Sequence, residues 1–372
     1  MAHLVADISS HGFGHLAQVA PVLNALAARL PDLRLTLCTA LPEAVLRARV
    51  DAPYEQVRSA TDFGMCMANA LEVRVDDSAA AYAAFHADWE AKVEAQARRL
   101  EHHAPDLVLA DVSYLCLAGA HLAGIPAVAM CSLNWAEIYR HYCGGRPEAA
   151  RILGQMSHAY ESAAHFLRLK PGMPMAHLPG GIDIGPIAQV GRNRRAEIDA
   201  RLDLDAEVRL VLVSLGGIGM RLPWDNWPAG ARTRYLVDAP AGMARGPTAS
   251  FRDLGMPFVD VLASCDAFVT KPGYGSFVEA AVNRVPVLYL PRRDWPEEPY
   301  LVEWLATHGR CAPLCRAELE AGRLDQALGR LGAAAPGDAV QPIGIAAAAD
   351  LFAALLAGPP AKERARQPGV VF

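Results

Sequence analysis

Short apolar runs alternate with longer helix-like stretches along almost the whole chain, and that alternation restricts the fold to a parallel α/β architecture. In the first half Leu4–Ile8, Arg34–Cys38, Leu107–Ala110 and Ala127–Met130 read as strands. Leu16–Arg29, Ser78–His102 and Tyr114–Ala123 read as the helices between them. The stretch from Pro171 to Asn193 is rich in Pro and Gly and reads as a connection. The pattern then restarts, with Val208–Ser214, Tyr235–Asp238, Ala267–Thr270 and Val287–Leu290 as strands. A chain of 372 residues has room for two such domains, each with its own core. The expected division is a first domain over 1–180, a linker over 181–206 and a second domain over 207–342. A helix over 343–358 either crosses back to the first domain or completes the second, and 359–372 is a tail.

The expected fold class is α/β, two doubly wound Rossmann-like domains facing each other across a cleft. In such sheets ligands bind beyond the carboxyl ends of the strands. Glycine-bearing turns fall at those ends. Thr270-Lys-Pro-Gly-Tyr-Gly-Ser-Phe-Val-Glu279 leaves one strand and opens a helix, so its first amides and the helix dipole favour an anion. Gly273 and Gly275 let the backbone approach a phosphate closely. Ser276 and Glu279 also have the spacing of a capping box, which requires no ligand. A second turn, Gly216-Gly217-Ile-Gly219, follows the strand ending at Ser214.

The first strand runs into Ser9-Ser-His-Gly-Phe-Gly-His15. The turn closes on His15, a large polar side chain at the mouth of the turn, and on that ground a dehydrogenase is disfavoured. At a helix N-terminus, an imidazole is held toward its neutral form and is available as a base. Asp111 ends the Leu107–Ala110 strand and can orient such an imidazole. Equally, Asp111 or Ser113 can cap the helix that follows, and His15 can merely pack its turn. There is no Gly-x-Ser-x-Gly elbow, so the pair points to a base rather than a covalent nucleophile.

Bulk properties exclude several classes. The formal charge of −5 and the absence of a basic stripe give no case for nucleic acid. No apolar stretch is long enough to span a bilayer, since Ile343–Ala357 is short and carries Asp350. Leu4-Val-Ala reads as a strand rather than a signal peptide, and the 8 cysteines lack paired metal-ligand spacing. The expectation is a reduced, cytoplasmic protein without a metal; Asp203-x-Asp205 lies in a polar stretch and reads as incidental.

With these motifs in view, the chain resembles the GT-B superfamily of nucleotide-sugar-dependent glycosyltransferases over most of its length. The turn ending in His15 resembles the Gly-His turn of the bacterial N-acetylglucosaminyltransferase of peptidoglycan synthesis and of plant glucosyltransferases. A closer resemblance is to the glycosyltransferase-like N-terminal region of plant arabinose kinases. It rests on His11-Gly-Phe-Gly-His15, Asn134-Trp-Ala-Glu-Ile-Tyr139, Thr270-Lys-Pro-Gly-Tyr-Gly275 and Glu297-Glu-Pro-Tyr300. No counterpart of their kinase domain is expected within these residues.

The resemblance implies roles. His15 is the general base, with Asp111 behind it. Gly216, Gly217, Lys271, Gly273, Tyr274, Gly275 and Ser276 hold the donor diphosphate, Glu279 the ribose, Phe258 the nucleobase, and Glu297 and Glu298 the donor sugar. Gly14, Asn134 and Trp135 belong to the acceptor side, where Ser59–Asp77 and Asn134–Gly145 supply aromatic and methionine side chains that suit an apolar acceptor or pack the cleft wall. Lys271 and Tyr274 depart from the residues usual at those places. The implied activity is inverting, metal-independent transfer from a nucleotide sugar, a UDP-sugar first of all, to a small-molecule or lipid-linked hydroxyl. A nucleotide-sugar 2-epimerase and a non-catalytic nucleotide-sugar-binding module are the competing readings.

Overall fold

The computed structural model describes residues 1–358 apart from 218–219, 221, 229–231, 241, 293 and 334–336. Ile218 and Gly219 of the second glycine turn and the expected tail, 359–372, therefore lie outside the described residues.

Two parallel sheets organise the chain. The first contains β1 (His3–Ile8), β2 (Arg34–Cys38), β3 (Glu55–Val57), β4 (Leu107–Asp111), β5 (Ala127–Cys131), β6 (His165–Leu169) and β7 (Gly181–Ile184), in the spatial order β3-β2-β1-β4-β5-β6-β7. The second contains β8 (Arg209–Val213), β9 (Thr233–Val237), β10 (Thr248–Ser250), β11 (Ala267–Thr270), β12 (Val287–Tyr289) and β13 (Cys311–Pro313), in the order β10-β9-β8-β11-β12-β13. The central strands β1, β4, β5, β8 and β11 are near-continuous apolar runs, as helices on both faces of a parallel sheet demand.

Strand order reverses once in each sheet, between β1 and β4 and between β8 and β11. The chains leaving these neighbours diverge to opposite faces and open a crevice at the carboxyl ends, where doubly wound sheets bind ligands. The register pairs Ile8 with Asp111, and Val213 with Val269, so the residues just beyond them emerge side by side.

The chain forms two compact units. Among the described residues, one comprises 1–68, 73–187 and 343–358; the other comprises 69–72 and 188–342. The stretch expected as a linker, 181–206, carries the edge strand β7 and the Arg195–Leu202 helix. The Gly344–Ala357 helix packs on the Phe13–Arg29 helix within the first unit, joined at the surface by an Arg29 Nε to Asp350 Oδ1 ion pair of 2.8 Å. The second unit's core includes Val211, Val213, Val237, Val269 and Leu288 of its central strands, together with Trp227 and Ala70.

Two helices differ from expectation. Ser78–His102 is not one helix but two, Val75–Phe85 and Trp89–His103, separated at His86. His86 is buried there, its Nδ1 bonded to Gln155 and its Nε2 to Tyr114, which fixes the break by tertiary bonds rather than by Gly or Pro. The helix after β11 starts at Tyr274 with Gly273 as its cap and no side-chain cap bond. Ser276 therefore sits inside the first turn, so the expected Ser276/Glu279 capping box does not form. Among the described residues, no helix is long and apolar enough to cross a membrane.

Candidate active site

In the first unit the crevice between β1 and β4 is occupied by His15 and Asp111. Gly12, with φ of 118°, turns the chain after β1 and caps the Phe13–Arg29 helix, which delivers His15 in its first turn. His15 Nδ1 lies 3.2 Å from Asp111 Oδ1, and both residues are buried. The capping alternative for Asp111 is removed, because Ser113 Oγ accepts from Cys116 N and caps the helix that follows. Asp111 Oδ2 is buried with no hydrogen-bond partner among the described residues, so much of this carboxylate's field is directed at the imidazole.

The charge state differs from the expectation that the helix N-terminus keeps His15 neutral. Burial opposes protonation, but the adjacent Asp111 carboxylate and its hydrogen bond prevail, and His15 is held well above the usual histidine value. A helix-end dipole is a fraction of a charge; a buried carboxylate at contact is a full one.

Around the pair lies a set of groups that the motifs did not indicate. Asp62 is buried and accepts from Ser9 Oγ at 2.9 Å and from Trp135 Nε1 at 2.7 Å. Burial pushes Asp62 up to about 6, against the pull of His15 and these two donors. Asp7, within β1, accepts from Thr61 Oγ1 at 2.5 Å and is pushed up to about 7, chiefly by burial. The Trp135 ring stands 5.9 Å from the His15 ring and 5.2 Å from that of His11.

Trp135 and Asn134, both expected on the acceptor side, have no exposed surface. Asn134 Oδ1 caps the Trp135–Cys143 helix at Glu137 N, and Trp135 backs His15 while holding Asp62. Tyr139 and Met65 are likewise buried, whereas Phe63, Met67 and Tyr142 of the same segments are half-buried. Gly14 is exposed beside His15, and a Cβ placed on it would meet nothing within 4 Å.

His15, Asp111 and Cys131 present ligand atoms within 4.8 Å of one another, a grouping that could hold a metal ion. The Cys131 thiol is pushed up to about 11, first by burial and then by Asp111, so it stays protonated and is a poor ligand in this setting.

In the second unit the equivalent crevice lies between β8 and β11. Gly216, with φ of 82°, follows β8 and is exposed with Gly217. Lys271 follows β11. A Cβ placed on Gly216 would stand 3.9 Å from Lys271 Cε, and one on Gly273 would stand 3.7 Å from Lys271 Nζ. The lysine thus runs between the two glycine turns. Tyr274, Gly275 and Ser276 form the first turn of the next helix, and Phe277 N closes its first bond onto Gly273 O at 3.0 Å.

The acidic pair is not a solvated loop: Glu297 and Glu298 are buried. Glu298 accepts from Arg292 N, and Glu297 Oε2 accepts from Trp295 Nε1 at 3.3 Å. Arg292, which no motif indicated, lies with its guanidinium 4.1 Å over the Trp295 ring. Burial first, then the Arg292 charge, push Lys271 down to about 7, with Glu297 opposing. Glu279 is buried on the Tyr274–Val282 helix, and Phe258 begins the Phe258–Ala263 helix, edge-on to Phe251 and Phe268. Arg292 carried a usable sequence signal, its place just past the end of β12. Asp62 carried none, because its burial is set by Trp135 and Ser9, far away in sequence.

Two parallel sheets of this order, each with one strand reversal, make up a GT-B fold. Solved structures of that fold match the chain almost end to end. The calicheamicin glycosyltransferase CalG4 matches with a TM-score of 0.66 at 19% identity, over 96% of this chain and 98% of that one. A UDP-glucosyltransferase from Polygonum tinctorium capable of glucosylating indoxyl matches with a TM-score of 0.58 at 16% identity, over 96% and 99%. The glycosyltransferase VinC, solved with dTDP, matches with a TM-score of 0.54 at 18% identity, over 98% of each chain. In sequence the chain is distantly homologous to L-arabinokinase from Arabidopsis thaliana, 26% identical over 326 residues. That match takes in 85% of this chain but 31% of the kinase, so the chain spans about a third of its relative's length. No family model matches.

Proposed function

We propose that the protein is a glycosyltransferase that moves a sugar from a nucleoside diphosphate sugar, a UDP-sugar first of all, to a hydroxyl acceptor with inversion. The observation that carries this reading is the buried His15–Asp111 pair at the reversal of the first sheet. Nδ1 is engaged by the carboxylate, which leaves Nε2 to take the acceptor's hydroxyl proton. The acceptor oxygen then bonds to the anomeric carbon as the bond from that carbon to the diphosphate oxygen breaks. Asp111 stabilises the imidazolium that results.

On the donor side, Lys271 and the amides at the start of the Tyr274–Val282 helix receive the charge of the leaving diphosphate, with Gly216, Gly217, Gly273 and Gly275 giving the backbone close access. Phe258 offers a surface to the base, Glu279 an acceptor for the ribose hydroxyls, and Glu297 and Glu298 acceptors for the sugar hydroxyls. The cationic charge of Lys271 meets the need that a metal serves elsewhere. The acceptor is a small-molecule or lipid-linked alcohol.

The test is His15→Ala, assayed against a panel of acceptors and followed by nucleotide titration. Loss of about 10²–10⁴-fold in turnover with unchanged UDP affinity supports the base assignment. Turnover that survives the substitution removes it. A protein that binds the nucleotide sugar but never transfers or epimerises it is a binding module.

A further inference from the structure

We propose that Lys271 and Arg292 act together as a two-cation clamp on the donor diphosphate, and that closing the clamp draws a proton onto the Lys271 amine. This rests on the glycosyltransferase reading and adds Arg292 and a proton to it.

The geometry is specific. Lys271 leaves β11 at the sheet reversal and threads between Gly216 and Gly273, where the backbone carries no side chain to keep an anion away. Arg292 leaves the neighbouring strand β12 at the same edge. Its guanidinium rests on the Trp295 face at 4.1 Å, and its backbone N–H is tied to the Glu298 carboxylate. Trp295 is itself held by Glu297 at 3.3 Å. Arg292 is therefore braced by Trp295 and Glu298, and a braced cation loses little freedom on binding.

Charge explains the proton. The groups acting on Lys271 are Arg292, which repels its charge, and Glu297, which favours it, both from the loop after β12. The turn Ser214–Gly217 after β8 contains no titratable side chain; the Tyr274–Val282 helix contributes Tyr274 and Glu279. Repulsion and burial leave the amine near 7. A diphosphate between the two cations reverses the local field and favours the charged lysine. Above that pH, the amine is mostly neutral before binding and charged afterwards, so binding takes up a proton.

The experiment is isothermal titration calorimetry of UDP, GDP and dTDP at pH 8 in buffers of different ionisation enthalpy. Phosphate buffer is avoided because it competes for the clamp. At this pH the terminal phosphate is fully ionised and contributes no proton of its own. The expected result is net proton uptake on binding, approaching one proton per nucleotide. Lys271→Arg should retain binding with uptake near zero, because a guanidinium is already charged. Arg292→Met should weaken binding about 10- to 100-fold and also reduce uptake, since the repulsion on Lys271 is gone. Nucleotide binding without uptake, or uptake undiminished in Lys271→Arg, overturns the clamp while leaving the transferase reading intact. Failure of all three nucleotides to bind overturns both.

Discussion

His15 Nδ1 and Asp111 Oδ1 lie 3.2 Å apart at the carboxyl ends of β1 and β4, where Ile8 and Asp111 are register partners. The pair forms without either residue leaving its own element. The strand places the carboxylate, and a glycine turn followed by a helix start places the imidazole. Because burial is nearly complete, the carboxylate governs the ring's charge.

The consequence is a pH profile. A base must be neutral to accept a proton, and His15 is held well above 6.5 by Asp111. The acid limb of kcat/KM should therefore lie above the ordinary histidine value, with activity rising as pH rises through it. Asp111→Asn removes the charge that raises His15, so the limb should move to lower pH while the maximal rate falls by about 10²–10⁴-fold. A limb that stays in place in Asp111→Asn shows that some other group titrates.

Stability should depend on pH with one sign from three groups. His15 titrates higher in the folded state, so its contribution is complete below about 6.5 and is lost as pH rises through the folded value. Asp7 and Asp62 are raised to about 7 and about 6. Each is neutral when folded over a range where the unfolded chain is ionised, so their stabilising contribution is complete below 3.8 and shrinks as pH rises to the folded value. The urea midpoint should thus fall between pH 5 and pH 8. Asp7→Asn should flatten that slope, and an unchanged slope would exclude Asp7 as its source.

Much of this architecture was legible in the sequence, for identifiable reasons. The central strands are buried on both faces and therefore read as apolar runs. The edge strands Glu55–Val57, Gly181–Ile184, Thr248–Ser250 and Cys311–Pro313 are short, and β3, β7 and β13 are part-exposed, so they leave little hydrophobic trace. The positions of His15, Asp111 and Lys271 at strand ends could be read because each follows or closes an apolar run. Asp62 could not be found that way. It sits in a loop whose burial depends on Trp135, and no local pattern encodes a contact across that distance. Ser276 was misleading because a capping-box spacing does not fix where the helix begins.

Gly64 tests how tightly that loop is held. Its φ is +63°, and a Cβ there would stand 2.5 Å from His11 Cγ and 2.8 Å from Trp135 Cη2. Gly64→Ala combines left-handed backbone strain with overpacking and should cost about 2–4 kcal/mol. Gly124→Ala is the control, since Gly124 has a φ of +65° close to that of Gly64 but nothing within 4 Å of its Cβ position. It should lose about 1–2 kcal/mol, the backbone part alone. Equal melting temperatures for the two variants would mean that the loop yields and does not clamp His11 against Trp135.

The Gly344–Ala357 helix separates two kinds of contact on one element. Its ion pair, Arg29 to Asp350, is at the surface, with the Asp350 side chain 68% exposed. Solvent screens such a pair, so Asp350→Ala should change stability by no more than about 1 kcal/mol, and less at high salt. Phe352, two residues on, is fully buried. Phe352→Ala leaves a cavity and should cost about 3–5 kcal/mol, read as a lower urea midpoint for the first unit. If Asp350→Ala proves the more damaging substitution, the helix is held to the Phe13–Arg29 helix by charge, and the apolar account of its docking is wrong.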